Sequence, residues 1–148
     1  MKILIQKVNK AKLYIEEEFK EKISAGYIIF FGIEKGDDEK LENIIDNLLK
    51  IKIVEDEKGY LKKSMIDIKP EIMIIPNITI ACKFNKLKPE FSILPEKNKA
   101  KDIYEKIKSL FQDIYKENKI SKIVYGEFGS HMNIECIISG PINFYLDL

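Results

Sequence analysis

The sequence predicts one α+β domain, over residues 1–148, in which mostly antiparallel strands accompany two amphipathic helices. The length of 148 residues suits a single domain, since domains most often have about 100 to 150 residues. Hydrophobic residues make up 45% of the chain, which is enough to form a buried core. The third observation is the order of the patterns: two segments with helical spacing lie among short strand-like runs with hairpin-length connections.

The first third of the chain predicts strands followed by a helix. Ile3, Ile5 and Val8 alternate with polar neighbours, and the apolar run over residues 27–33 predicts a central strand. Acidic residues at positions 37–39 favour the N-terminus of a helix. The apolar residues that follow share one helical face, namely Leu41, Ile44, Ile45, Leu48 and Leu49.

The rest of the chain predicts further strands and one long helix. Pro76 interrupts the apolar run of residues 72–80 and predicts a bend there, because proline cannot donate to a strand ladder. We expect an irregular loop over residues 83–95 and a helix from about Glu96 to Asn118. Strand signals return at residues 123–125, 132–138 and 142–146, with Gly140-Pro141 between the last two.

The charge balance limits what the chain can bind. Its 25 basic side chains oppose 24 acidic ones, for a net charge of +1, and every basic residue is a lysine. This balance excludes the strongly basic class of duplex-DNA binders, so any nucleic-acid contact must be a local patch. Lysine contacts phosphate as a compact charge, without the two-pronged geometry of arginine.

Membrane, metal and cofactor classes are also disfavoured. No apolar run approaches the roughly 18 residues of a membrane span, and we expect a cytosolic protein. Cys82 and Cys136 lie in strand-like runs and are expected to be small buried hydrophobic residues. His131 is the only histidine, so we expect no zinc site. No glycine-rich phosphate loop is present, and we expect no cofactor.

Three segments break the local patterns and are the places to look for a site. They are residues 76–79, residues 126–130 and residues 139–141. A Gly-Pro step between two strands can hold a cis peptide bond, which would turn the carbonyls of Gly140 and Pro141 in one direction toward an ammonium group. The alternative is an ordinary trans turn that links two strands.

Several short motifs, in order along the whole chain, resemble those of the D-aminoacyl-tRNA deacylase family. They are residues 3–8, the glycine-led strand from Gly26 to Lys35, the Gly-x-Phe-Gly-x-x-Met motif at residues 126–132, and Gly140-Pro141 with Ile142-Asn143-Phe144. The resemblance implies a small barrel-like domain and a homodimer in which Gly140-Pro141, in the cis form, enters the partner's site. The implied reaction is hydrolysis of the ester between a D-amino acid and tRNA.

Two departures from the family pattern bear on this resemblance. The family usually has Ser-Gln-Phe-Thr-Leu where this chain has residues 76–80, Pro-Asn-Ile-Thr-Ile, so only Thr79 is identical. The leading Pro76 resembles related enzymes that remove L-alanine from threonine tRNA, and this leaves an editing function open. Lys7 stands where the family usually has an arginine that supports the Gly-Pro loop.

The candidate site residues follow from these segments. Thr79 lacks an evident base, so we expect it to position the ester or a water molecule, while a neighbouring ribose hydroxyl activates the attack, as proposed for the family. A purely structural Thr79 is the alternative. The backbone amides of Asn77 and Ile78 could stabilise the charge that develops on the ester oxygen.

Further residues are expected to bind the substrate. Phe128 and Met132 would line an apolar wall, or belong to the core. Lys83, Lys86 and Lys88 are candidates for binding the tRNA acceptor end, or form an ordinary solvated surface. A third hypothesis, from another class, is a non-catalytic RNA- or protein-binding module on the same fold.

Overall fold

The computed structural model describes residues 1–140 and 142–148. The strands are β1 (Lys2–Ile15), β2 (Glu18–Ile23), β3 (Gly26–Gly32), β4 (Val54–Glu55), β5 (Leu61–Lys63), β6 (Glu71–Pro76), β7 (Lys83–Asn85), β8 (Lys88–Glu90), β9 (Lys122–Tyr125) and β10 (Met132–Asp147). The α-helices are α1 (Leu41–Lys50), α2 (Met65–Ile68) and α3 (Lys97–Lys116), and short 3-10 turns cover Asp37–Glu39 and Ile78–Ala81. Among the described residues, no helix is both long and apolar enough to cross a membrane.

The main sheet has the strand order β10-β1-β3-β6-β9, and β2 pairs with the far part of β1. Strand β1 is antiparallel to β2, β3 and β10, which confirms the predicted antiparallel pairing in this half of the sheet. Strands β3, β6 and β9 run parallel to one another, because the chain crosses over through helices between them. This parallel half was not predicted from the sequence patterns.

Two apolar clusters fill the two sides of the sheet. The larger one joins α1 and α3 to the sheet, through residues such as Leu48, Phe111 and Phe31. The smaller one includes Leu13 and Met73. Strand β3 is buried along nearly its whole length, which explains why its sequence is an uninterrupted apolar run.

The two predicted amphipathic helices are confirmed as α1 and α3, and α3 ends two residues before the predicted boundary. The single-turn helix α2 was not predicted. Its Ser64 and Asp67 form a reciprocal capping box. The backbone and hydroxyl of Ser64, followed by the ammonium of Lys52, lower the pKa of Asp67 to about 2.

Two sequence predictions are wrong in detail. Residues 83–90 form a two-stranded hairpin, β7–β8, instead of an irregular loop. Cys136 is exposed and Cys82 is only half-buried. Cys136 lies on β10, an edge strand of the sheet, and is exposed even though its pairing partner Ala11 is buried.

Candidate functional site

A cavity of about 520 Å³ lies beyond the carboxyl ends of the parallel strands β6 and β9. Open sheets commonly bind ligands at such an edge, where loops from neighbouring strands meet. Two of the three pattern-breaking segments of the sequence come together here, one after each strand. The lining residues are Pro76, Asn77, Ile78, Leu94, Pro95, Lys97, Ala100, Phe128, Gly129, Ser130 and Met132.

The turn after β6 forms the first wall, and its backbone amides have different partners. The Asn77 amide donates to the Phe31 carbonyl at 2.9 Å. The Asn77 side-chain oxygen in turn accepts from the Thr79 amide at 3.2 Å, which caps the 3-10 turn. The Ile78 amide donates to no described protein group. Of the predicted backbone donors, Ile78 is therefore the one left available to a ligand.

The Thr79 hydroxyl is engaged locally. Its Oγ1 donates to the Asn77 Oδ1 at 2.6 Å, and the side chain is exposed. A carboxamide oxygen is too weak a base to remove this proton, so the arrangement does not generate a nucleophile. Thr79 is also absent from the described residues that line the cavity.

The second wall is the loop after β9, which carries Phe128 and Met132 into the cavity. Gly126 begins this loop, and its amide donates to the Ile74 carbonyl at 2.8 Å. A Cβ at Gly126 would lie 2.9 Å from the Met132 sulfur and 3.1 Å from the Pro76 ring, so the close packing of the two walls requires glycine.

Tyr104 of α3 supports both walls from behind. Its hydroxyl lies 2.9 Å from the Gly126 carbonyl oxygen and 3.2 Å from that of Ile74, and its ring centroid is 6.3 Å from that of Phe128. Burial raises the pKa of Tyr104 far above its ordinary range, which keeps the hydroxyl protonated as a donor. In the sequence, Tyr104 is indistinguishable from the apolar stripe of the helix.

The third wall comes from the start of α3 and the segment before it. Lys97 is the one charged residue among the described residues of the lining, and it forms no described ion pair. A Cβ at Gly129 would lie 3.9 Å from the Lys97 Nζ, so this ammonium sits beside the loop after β9. Lys97 was not among the predicted site residues, because in the sequence it is one of many lysines on a solvated helix.

Gly140 and Lys7 lie apart from the cavity of their own chain. Both fall in one irregularity of the β1–β10 ladder, between the pairs Gln6–Asn143 and Val8–Ile138. The Lys7 ammonium pairs with Glu55 at 3.0 Å. Gly140 is exposed, and a Cβ there would meet no described atom within 4 Å. Pro141 lies outside the described residues, and with it the predicted cis bond.

The comparison that decides the family covers almost the whole chain. Residues 4–147 match the family model described as D-Tyr-tRNA(Tyr) deacylase. The chain belongs to this deacylase family. The match confirms the resemblance that the sequence motifs indicated.

Relatives in this family match nearly the whole chain. The D-aminoacyl-tRNA deacylase of Aquifex aeolicus is 32% identical over 149 residues, covering 99% of this chain and 97% of that protein. The D-aminoacyl-tRNA deacylase of Dictyoglomus turgidum is 32% identical over 150 residues, covering 99% and 92%.

Solved structures extend the similarity to the fold. The structure titled c-Myc DNA Unwinding Element Binding Protein has a TM-score of 0.86 and 27% identity, with 100% of this chain and 99% of that chain covered. A probable eukaryotic D-amino acid tRNA deacylase superposes with a TM-score of 0.77 at 15% identity, with 99% and 98% covered, and shows the fold alone. The predicted barrel-like α+β fold is thereby confirmed.

Proposed function

We propose that this deacylase hydrolyses the ester of D-aminoacyl-tRNA and releases free D-amino acid and tRNA. The observation that carries the proposal is the family match over residues 4–147, and the cavity supports it by joining two of the segments that the sequence singled out. The enzyme would act in the cytoplasm, where its aminoacyl-tRNA substrates are used. Its role there is to keep D-amino acids out of translation.

The reaction requires an oxyanion site more than a protein nucleophile. Water attacks the ester carbonyl carbon, the bond to the ribose oxygen breaks, and that oxygen leaves with a proton. The free Ile78 amide is the donor for the oxyanion, and such a donor contributes about 2.7 to 4 kcal/mol of barrier reduction. Asn77 and Thr79 hold the turn that presents this amide. The tRNA's own 2′-hydroxyl activates the attack, since the Thr79 hydroxyl is committed to Asn77.

Chirality is read at the α-ammonium group of the substrate. In a two-fold dimer, the Gly140 and Pro141 carbonyls of one protomer accept this ammonium in the partner's cavity. Hydrogen bonds of this kind contribute about 1.5 to 3 kcal/mol, or roughly 10- to 150-fold. A steric wall against the L side chain supplies the remaining discrimination. The exposure of Gly140 and the open space around it support this placement.

Exposed apolar side chains on the edge strand β10 support dimer formation. Ile137 and Ile138 of β10 and Tyr145 farther along the same strand are all exposed. Cyclic two-fold dimers are the commonest soluble oligomers, and burial of such side chains is their usual driving force. We expect a solution mass of twice 17.3 kDa. A single-chain mass at micromolar concentration would contradict the shared site.

The activity is tested with D-Tyr-tRNA, L-Tyr-tRNA and L-Ala-tRNA in parallel assays. We expect release of the amino acid only from the D ester. Loss of L-alanine would instead establish the editing function that Pro76 suggested. No release from any of the three would favour a non-catalytic binding module.

The division of labour between backbone and side chain is tested separately. We expect Thr79→Ala to keep kcat within about tenfold of the native enzyme, because the Ile78 amide remains. A tRNA ending in 2′-deoxyadenosine should hardly be cleaved. The opposite pattern would establish a threonine-centred mechanism. In that pattern, Thr79→Ala abolishes hydrolysis, while the native enzyme cleaves the 2′-deoxy substrate at the normal rate.

Gly140→Ala isolates the contribution of the partner. The added methyl group meets no atom of its own chain, so the free energy of unfolding of the protomer should change by less than about 0.5 kcal/mol. We expect KM for the D substrate to rise, because the methyl group enters the partner's cavity. An unchanged KM would remove Gly140 from the site.

A further inference from the structure

The hairpin β7–β8 exposes two large apolar side chains. Phe84 is 74% exposed and Leu87 is 96% exposed. Large apolar side chains that are this exposed contribute almost nothing to the core. The sequence analysis considered only the lysines of this segment.

The strand register gives the hairpin two different faces. Phe84 pairs with Pro89, while Lys83 pairs with Glu90 and Asn85 with Lys88. Because paired residues share one face of a sheet and neighbours alternate, Phe84 and Pro89 form an apolar face. The opposite face is polar and carries two of the three lysines.

The turn of the hairpin places two residues in an unfavourable backbone conformation. Lys86 and Leu87 have φ values of 45° and 67°, in the left-handed region that favours glycine and asparagine. An exposed leucine gains no packing there that would offset this conformation. Glu16 and Glu17 adopt the same conformation in the turn between β1 and β2, so the distinguishing feature of β7–β8 is the exposed apolar side chain at its tip.

The lysines of the hairpin also lack partners. Among the described residues, Lys83, Lys86 and Lys88 form no ion pair. The second small hairpin, β4–β5, has the opposite arrangement, since Lys63 pairs with Glu57 and Lys62 with Asp56. With three lysines against one glutamate, Glu90, the hairpin β7–β8 is therefore a local basic patch on a nearly neutral chain, as phosphate binding requires.

Along the chain, the hairpin lies between segments of two walls of the cavity. It begins just after the 3-10 turn Ile78–Ala81, and it ends at Glu90, shortly before Leu94 and Pro95 of the lining. The Lys35 ammonium holds the returning segment through the Ser92 carbonyl at 2.7 Å. Both ends of the hairpin are therefore joined to segments that line the cavity.

We propose that β7–β8 binds the single-stranded 3′ end of the tRNA, with Phe84 stacked on a base and the three lysines on the phosphates. This inference rests on the proposed deacylase function and extends it to the nucleotides beyond the terminal adenosine. Aromatic stacking tolerates any base, so the contact serves many tRNAs. Single-stranded RNA is favoured over a protein partner because the same small hairpin carries an exposed aromatic side chain and three lysines.

The test compares D-Tyr-tRNA with D-tyrosyl-adenosine, which lacks the nucleotides that the hairpin would bind. Phe84→Ala should raise KM for D-Tyr-tRNA by roughly 5- to 150-fold, which is the usual effect of losing one stacked base. It should leave the hydrolysis of D-tyrosyl-adenosine unchanged. Phe84→Tyr should restore the native KM. Tyr60→Ala is the matched control, since Tyr60 is 60% exposed beside the paired lysines of the other hairpin.

Two binding measurements test the contacts directly. The chain has no tryptophan, so Phe84→Trp introduces a single probe whose fluorescence should be quenched by uncharged tRNA, whereas Tyr60→Trp should not respond. Replacing Lys83, Lys86 and Lys88 together by glutamine should reduce the slope of log affinity against log salt by about 2, because each single-strand phosphate contact contributes roughly 0.7.

The outcomes separate this inference from the proposed function. Failure of the native enzyme to hydrolyse either D substrate would refute the deacylase function itself. Native activity on both substrates, with Phe84→Ala unchanged on D-Tyr-tRNA, would overturn only the hairpin's role. Equal losses on both substrates would also overturn it, since they would indicate a damaged cavity. A Phe84→Ala protein with half the native solution mass would identify the hairpin as a subunit contact instead.

Discussion

Replacing Tyr104 by phenylalanine removes one hydroxyl group from the rear of the cavity. That hydroxyl is the described donor to the Gly126 carbonyl, at 2.9 Å, and it also lies 3.2 Å from the Ile74 carbonyl. The Ile74 oxygen keeps the Gly126 amide as its partner, at 2.8 Å. The Gly126 carbonyl is buried and would lose its described donor. The substitution therefore leaves one buried acceptor unsatisfied.

An unsatisfied buried acceptor costs about 1 to 3 kcal/mol. For a domain of this size, each kcal/mol lowers Tm by about 2 to 4 °C, so we expect a fall of roughly 2 to 12 °C. Gly126 begins the loop that carries Phe128, and a 1 Å misplacement in an active site costs roughly 100-fold. We expect Tyr104→Phe to shift this wall by less than 1 Å, and so to lower kcat/KM by about tenfold.

Thermal unfolding and D-Tyr-tRNA hydrolysis are the two assays. Tyr115→Phe is the matched control, because Tyr115 lies on the same helix, is 43% exposed, and its hydroxyl makes no described hydrogen bond. We expect that variant to behave as the native protein. Equal Tm values for Tyr104→Phe and Tyr115→Phe would refute the argument that the buried hydroxyl holds the two walls together.

Two further predictions concern the same region. Gly126→Ala should destabilise the fold by about 1 to 3 kcal/mol and raise KM, because the new methyl group displaces Met132 and Pro76. Chemical unfolding measures the change in stability, and steady-state kinetics measure the change in KM. A native KM would contradict the predicted displacement of the cavity walls. Burial raises the pKa of Tyr104 in the folded state above its ordinary value of 10.0. The neutral hydroxyl therefore stabilises the fold fully below pH 10. Above pH 10 the unfolded chain loses this proton first, and the free energy of unfolding falls by about 1.4 kcal/mol per pH unit. Urea unfolding at alkaline pH should show a shallower loss for Tyr104→Phe than for the native chain, and identical slopes would disprove the shift.

The sequence by itself determined the helices α1 and α3, the central strand β3 and the family. Regular apolar spacing is a local property, since a helix or strand buries one face against whatever lies beside it. The motifs around Thr79, Gly126 and Gly140 are likewise local, and they identified the family before any distance was known.

Only the tertiary structure decided which groups of the site are available. The Asn77 amide donates to the carbonyl of Phe31, which is 46 positions earlier in the chain (77 minus 31). No pattern in the sequence predicts that hydrogen bond. Tyr104 and Lys97 look like ordinary residues of a helix until α3 packs behind the loop after β9. Partners that are distant in sequence are set by how the parallel strands align, and this alignment depends on the packing of the whole core.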